Sequence, residues 1–321
     1  MIRSSIALAA FVAFAAPARA DVPRVVADIA PVHALAAQVM QGVGTPELIL
    51  QPGISPHGYS LRPSQARALQ SADLVVWIGE ELTPWLAKPL DTLAASAGRL
   101  ALLDIEPTQR LLYRDVDQED DHGDDHDDHD DDHDDDHDDQ DDDHGDDHAH
   151  DGVDPHAWLD PENAQAWLHV IAAELSALDP GNAAIYTANA ARGVDRIAAL
   201  QADIDARLEG MRGRPFVAFH DAYQYFERRF GLSLAGTVAR GDAADPGPAR
   251  LAALRDLLGQ GDIACAFTEP QLNTRLMETV IEGQGVAVLV LDPMGAGVTP
   301  GPALYESILM NMADGFAACG G

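Results

Sequence analysis

The sequence predicts an α/β protein built as two lobes with mostly parallel sheets flanked by helices, joined by one long connecting helix. Three observations predict it. Short apolar, β-branched runs alternate with helical stretches in the first part of the chain, the pattern of parallel strands with helical crossovers. The same alternation resumes after residue 212. Between the two lies a proline-free stretch, residues 181–208, with Gly210 and Gly213 as its stop. As one helix it would run about 42 Å at 1.5 Å per residue, a length suited to a strut between lobes. Two shorter helices broken near Gly193 are the competing arrangement.

In the first lobe, residues 24–29 (RVVADI) read as a strand and 31–40 as a helix. Residues 45–50 are a second strand, ended by Gln51, Pro52 and Gly53. A helix at 63–70 precedes the buried strand 74–78 (LVVWI), which Gly79 closes. A helix at 83–93 leads to a strand at 100–105 (LALLDI). Residues 161–178 are helical, with Asp160 as N-cap and Pro161 at the first helical position, where a missing N–H costs nothing. In the second lobe, strands are expected at 215–219, 233–238, 263–267 and 286–291. Helices are expected at 221–230, 248–258, 274–282 and 302–318. The expected division is a signal peptide at 1–20, an N-terminal lobe at 21–178 with a disordered loop at 117–151, the connecting helix at 179–211, and a C-terminal lobe at 212–321.

Residues 1–20 (MIRSSIALAAFVAFAAPARA) carry a basic start at Arg3, a short apolar segment, and Ala18-Arg19-Ala20 as a small-x-small cleavage site. That segment is too short to span a bilayer comfortably, which disfavours the alternative of a membrane anchor. No Cys follows the site, so a lipid anchor is not expected there. The mature chain is expected to begin near Asp21 and to be exported and soluble. The two cysteines, Cys265 and Cys319, default to a disulfide in an oxidising compartment; a thiolate metal site is the alternative.

The formal net charge is −33, and no basic stripe exists, which excludes a nucleic-acid partner. Two thirds of that charge sits in residues 117–151, where eight histidines (His122, His126, His129, His133, His137, His144, His148 and His150) lie among 22 carboxylates with no Lys or Arg. Neutral imidazole and carboxylate are ligands for divalent transition metals. The run has almost nothing apolar to bury, so it cannot offset its own ordering entropy. It reads as a solvated, metal-collecting tether without a preset coordination geometry.

Five histidines lie outside the run. His57 (in PGISPHGYSLRPS) falls just past a strand, His156 (in VDPHAWLDPEN) just before a helix cap, and His220 (in FVAFHDAYQYF) at the carboxyl end of a strand. Open α/β sheets bind ligands beyond those strand ends, so the three imidazoles could converge on a metal in the cleft between the lobes. Asp292 (in VLVLDPMG) is a candidate fourth ligand, with water as its competitor and a turn cap as its structural alternative. Glu269 reads as a carboxylate that orients a ligating imidazole, or as a structural group. His33 and His169 fall in helical stretches and read as non-ligands.

At HGYSLRPS, DPHAWLDPENA, FHDAYQYF, FTEPQ and LDPMGAG the chain resembles the metal-specific solute-binding proteins of ABC importers, and the ZnuA-type periplasmic zinc-binding proteins in particular. The resemblance covers essentially the whole mature chain, including a His- and acid-rich insertion between the first two metal-binding histidines. It implies two α/β lobes bridged by a rigid helix, with Zn²⁺ held between them by His57, His156 and His220, and a Cys265–Cys319 disulfide. Manganese-carrying relatives place a carboxylate where His220 stands, and three neutral imidazoles suit zinc better than manganese. Some zinc relatives have a Glu just before the first histidine; here Pro56 removes that source of a fourth ligand.

The resemblance implies high-affinity zinc capture without catalysis and delivery to a membrane permease, by a protein expected to be a monomer. A periplasmic zinc metallochaperone is a further candidate partner. Two other classes compete. A zinc hydrolase would also use three protein ligands and water, yet neither HExxH nor GxSxG is present. A stand-alone zinc buffer would need less than two full lobes.

Overall fold

The computed structural model describes residues 21–114, 152–239, 247–272 and 274–320. The expectations for the signal peptide and for the histidine-rich run, with its eight histidines, lie outside the described residues.

The first lobe runs β1 (Val25–Ala27), α1 (Ala30–Val39), β2 (Glu47–Leu48), α2 (Pro63–Ser71), β3 (Leu74–Trp77), α3 (Pro84–Leu93) and β4 (Gly98–Ala101). Then come α4 (Pro161–Leu178) and the long α5 (Ala183–Arg207). The second lobe runs β5 (Phe216–Ala218), α6 (Gln224–Phe230), β6 (Leu234–Thr237), α7 (Pro248–Gly259), β7 (Cys265–Thr268), α8 (Thr274–Ile281), β8 (Ala287–Val290) and α9 (Leu304–Gly320). Both sheets are parallel and repeat one plan, with orders β2-β1-β3-β4 and β6-β5-β7-β8. The two α/β lobes and the long helix read from the sequence are therefore present. Among the described residues, no helix is long and apolar enough to cross a membrane.

Two of the boundary shifts from the sequence reading have clear causes, and the single long helix holds. β4 starts at Gly98, because its register with β3 pairs Leu74 with Gly98. Leu102 and Leu103 still donate to the carbonyls of Trp77 and Ile78, and the chain turns there. The run LALLDI reports burial more than strand extent. α6 begins at Gln224 rather than at residue 221, since the chain turns tightly at His220, where Ala222 N donates to its carbonyl. Gly193 leaves α5 unbroken, and its missing Cβ is what packing requires. A Cβ there would lie 2.7 Å from Leu168 Cδ1 and 2.8 Å from Gln38 Oε1.

α5 packs along α4 and also touches α1 and α9, so elements of both lobes lean on it. Buried Asn189 of α5 donates to the carbonyls of Val39 and Gln41, both at 2.8 Å, satisfying acceptors that the end of α1 leaves open. One apolar cluster runs from Val25 and Val76 through Trp158, Trp167 and Tyr186 to Phe216, Tyr305 and Phe316. The lobes thus share a core, which limits their relative motion. The Cys265–Cys319 disulfide is present and ties α9 to β7 with a Cα–Cα distance of 5.8 Å.

Asp28, just past β1, is fully buried. Its Oδ1 accepts from Ile29 N at 2.7 Å and its Oδ2 from Ile78 N at 2.9 Å, which joins the ends of β1 and β3. Burial raises its pKa from 3.8 to about 7 against the pull of those backbone donors. A carboxyl whose folded pKa lies above its unfolded one contributes stability that is full below the unfolded value and is lost as pH rises through the folded value. The metal-free protein should therefore lose stability from Asp28 between about pH 4 and pH 7. Asp28→Asn should flatten that part of a denaturation profile taken across pH; an unchanged slope would show that Asp28 is already ionised throughout.

Candidate metal centre

His57, His156 and His220 each offer one nitrogen, and these atoms lie within 4.8 Å of one another. Ring centroids are 5.8 Å apart for His57–His156, 6.4 Å for His57–His220 and 5.5 Å for His156–His220. They form the one such group of His, Cys, Asp and Glu found among the described residues. With zinc–nitrogen bonds of about 2.0–2.1 Å, a small contraction of this triangle would seat one ion. The set fits a borderline-soft divalent cation and leaves at least one position for another ligand.

His57 and His220 follow strands, and His156 precedes a helix. His57 lies beyond β2, in a turn where Trp85 Nε1 donates to Pro56 O at 2.7 Å. Gly53 in that turn has φ +85°, and a Cβ on it would meet Ala296 Cβ of the second lobe at 3.3 Å. His220 lies two residues past β5. His156 precedes the short 3₁₀ turn Ala157–Leu159 that leads into α4, whose N-cap Asp160 accepts from Glu162 N at 2.9 Å.

Two buried carboxylates hold two of the rings. Asp154 Oδ1 lies 2.8 Å from His156 Nδ1 and also accepts from His156 N at 2.9 Å. Glu269 Oε1 lies 2.6 Å from His220 Nδ1, while Gln271 donates to its Oε2 at 2.6 Å. A carboxylate against Nδ1 orients an imidazole and raises the basicity of its Nε2 toward a cation. Burial raises the pKa of Asp154, and His156 opposes that shift. Tyr223, fully buried, is raised well above the ordinary phenol range by burial and by the neighbouring Glu269 carboxylate. Trp158 packs on His156 at 5.2 Å between ring centroids, and Met294 and Leu272 complete an apolar wall.

Asp292 does not join the three histidines. Its Oδ1 accepts from Met294 N at 3.1 Å and Gly295 N at 2.8 Å, the turn-capping alternative to a ligand. His33 is buried in α1 with Nε2 3.0 Å from Pro46 O, and burial lowers its pKa. His169 is exposed on α4. Asp154 escaped the sequence reading. Its signal was the Asp-Pro-His spacing, which lets a carboxylate reach both the backbone and ring nitrogens two residues on.

The chain matches the family model described as ZnuA, zinc-uptake complex component A, periplasmic, over residues 25–319. It is 54% identical over 325 residues to the high-affinity zinc uptake system protein ZnuA of Paracoccus denitrificans (strain Pd 1222), covering 99% of each chain. Its identity to the protein of that name from Brucella abortus (strain 2308) is 40% over 303 residues, covering 92% of this chain and 91% of the other. The fold superposes on a crystal structure of ZnuA with a TM-score of 0.74 at 22% identity, over 94% of this chain and 100% of that one. Matched over nearly its whole length, the chain belongs to the ZnuA family of periplasmic zinc-uptake components.

Proposed function

We propose that the protein captures Zn²⁺ between its lobes through His57, His156 and His220 and delivers it to the membrane permease of an ABC importer. The observation that carries this reading is the convergence of three imidazoles from three separate segments, two of them buried and carboxylate-held. Relatives named for high-affinity zinc uptake support the choice of cargo. The role is binding and transfer, in keeping with a family of transport components rather than enzymes. Water is the fourth ligand in this reading, because Asp292 lies outside the group of three imidazoles and its Oδ1 serves its own turn. The signal-peptide pattern of residues 1–20 and the periplasmic family support export of the mature protein to the periplasm, and we read it as a monomer.

Residues 117–151 serve as an auxiliary collector. A bridge between Leu112 and Val153 brings the two ends of that insertion together, three residues before His156. Ions held loosely there would be concentrated near the cleft without any new contact. Neighbouring carboxylates favour protonated imidazoles, so protons should compete with metal in the run as pH falls.

A zinc titration of the metal-free mature protein lacking residues 117–151, against a high-affinity chelator, tests the reading. One tight equivalent is expected; its absence would place the affinity in the run and favour a buffering role. In the same assay Glu269→Gln and Asp154→Asn should each weaken zinc binding by about 10–100-fold, the usual cost of losing a partner that orients a ligand. Wild-type affinity in both would mean that the carboxylates serve folding alone.

A further inference from the structure

The element that carries His220 is gripped from across the cleft. Arg114, three residues before the insertion, forms two forks. Its Nε and Nη2 donate to Asp221 Oδ2 and Oδ1 at 2.9 and 2.7 Å. Its Nη1 and Nη2 donate to Glu227 Oε2 and Oε1 at 3.0 and 2.6 Å. Asp221 follows His220 directly, and both acceptors are nearly fully buried, with side-chain exposures of 8% and 3%. Tyr225 Oη adds to the grip by donating to Asp154 O at 2.8 Å and accepting from Leu111 N at 2.9 Å. The segments 111–114 and 153–154, which flank the insertion, therefore hold the turn of His220 against the segment of His156.

Resting on the zinc-capture reading, we propose that Arg114 is a positioning residue for cargo retention. Its double fork latches the His220 turn of the second lobe to the first, so that His220 and His156 stay within ligand reach after the ion is bound. A planar guanidinium suits the task, since its rigid donors serve two carboxylates at once, whereas an ammonium is a single point charge. The latch acts at the step of leaving. It adds no ligand and does not line the cavity around the three histidines, so its loss should appear in the dissociation rate and not in the association rate.

Stopped-flow transfer of zinc from the loaded, full mature protein to a chelator tests this. Arg114→Ala should release zinc at least about 10-fold faster with an association rate within about 3-fold of wild type, a change of about 1.4 kcal/mol in retention. Arg114→Lys should recover part of the loss. Arg229→Gln is the control, because Arg229 also spans the lobes, pairing with Asp160 at 2.9 Å and with Glu162, but lies nine residues beyond His220. It should leave the dissociation rate within about 2-fold of wild type. Should Arg114→Ala fold poorly, Asp221→Asn removes the first fork's charge at constant shape and should speed release in the same direction. Wild-type dissociation in these Arg114 or Asp221 variants, or equal acceleration by Arg229→Gln, would overturn the latch while leaving zinc capture intact. A wild-type protein with no tight equivalent would overturn both.

Discussion

Replacing His156 or His220 with alanine is expected to lower zinc affinity by about 10²–10³-fold in the protein lacking residues 117–151. Apparent zinc-binding energies of roughly 10–16 kcal/mol in four-ligand peptide sites correspond to about 2.5–4 kcal/mol per ligand, hence that range. The two residues should rank above His57. Both are buried, and both rings are held by carboxylates, at 2.8 Å from Asp154 and 2.6 Å from Glu269. A pre-oriented ligand loses less freedom on binding, so its removal forfeits more. His57 sits half-buried in a turn and closes the site from the side of the first lobe. Competition titration checks the ranking, and a second readout is thermal. A tight ligand at 1,000 times its Kd stabilises the folded state by about 4.1 kcal/mol, an increment that the His156 and His220 variants should largely lose. Retention of full affinity in either would remove it from the ligand set.

Removing the disulfide is expected to have the largest effect on folding stability. Cys265 and Cys319 are 54 residues apart in sequence, and the chain-entropy relation gives about 4 kcal/mol for a loop of that size. The bond joins α9 to β7, a central strand of the second sheet. α9 is also held by packing: Phe316 lies 5.0 Å from Phe216, 4.8 Å from Phe267 and 5.6 Å from Phe226 between ring centroids. The Cys265→Ala/Cys319→Ala double variant should therefore still fold, with a Tm roughly 10 °C lower by calorimetry. A shift below about 2 °C would mean that the aromatic packing already restricts the chain end. The metal centre lies elsewhere, so zinc affinity measured well below the Tm should be preserved.

Much of this protein was legible before folding was considered. Periodicity and the Gly and Pro breaks located each helix and strand to within a few residues, because those signals act over one or two turns. The stretch FVAF placed His220 beyond a strand end, and VDPHAWLDP placed His156 ahead of a helix cap. The paired cysteines followed from export and from their number. Tertiary structure decided what local pattern could not express. The sequence left Asp292 open between ligand and turn cap; in the fold its Oδ1 accepts from two backbone donors of its own turn, and the three imidazoles meet without it. Arg114 lies 107 residues from Asp221 and 113 from Glu227, and no local rule pairs them. Only docking the second lobe on the segments that flank the insertion brings them together. Short-range backbone preference is written residue by residue in the sequence, whereas the choice of buried polar partners depends on which surfaces the shared core has already brought into contact.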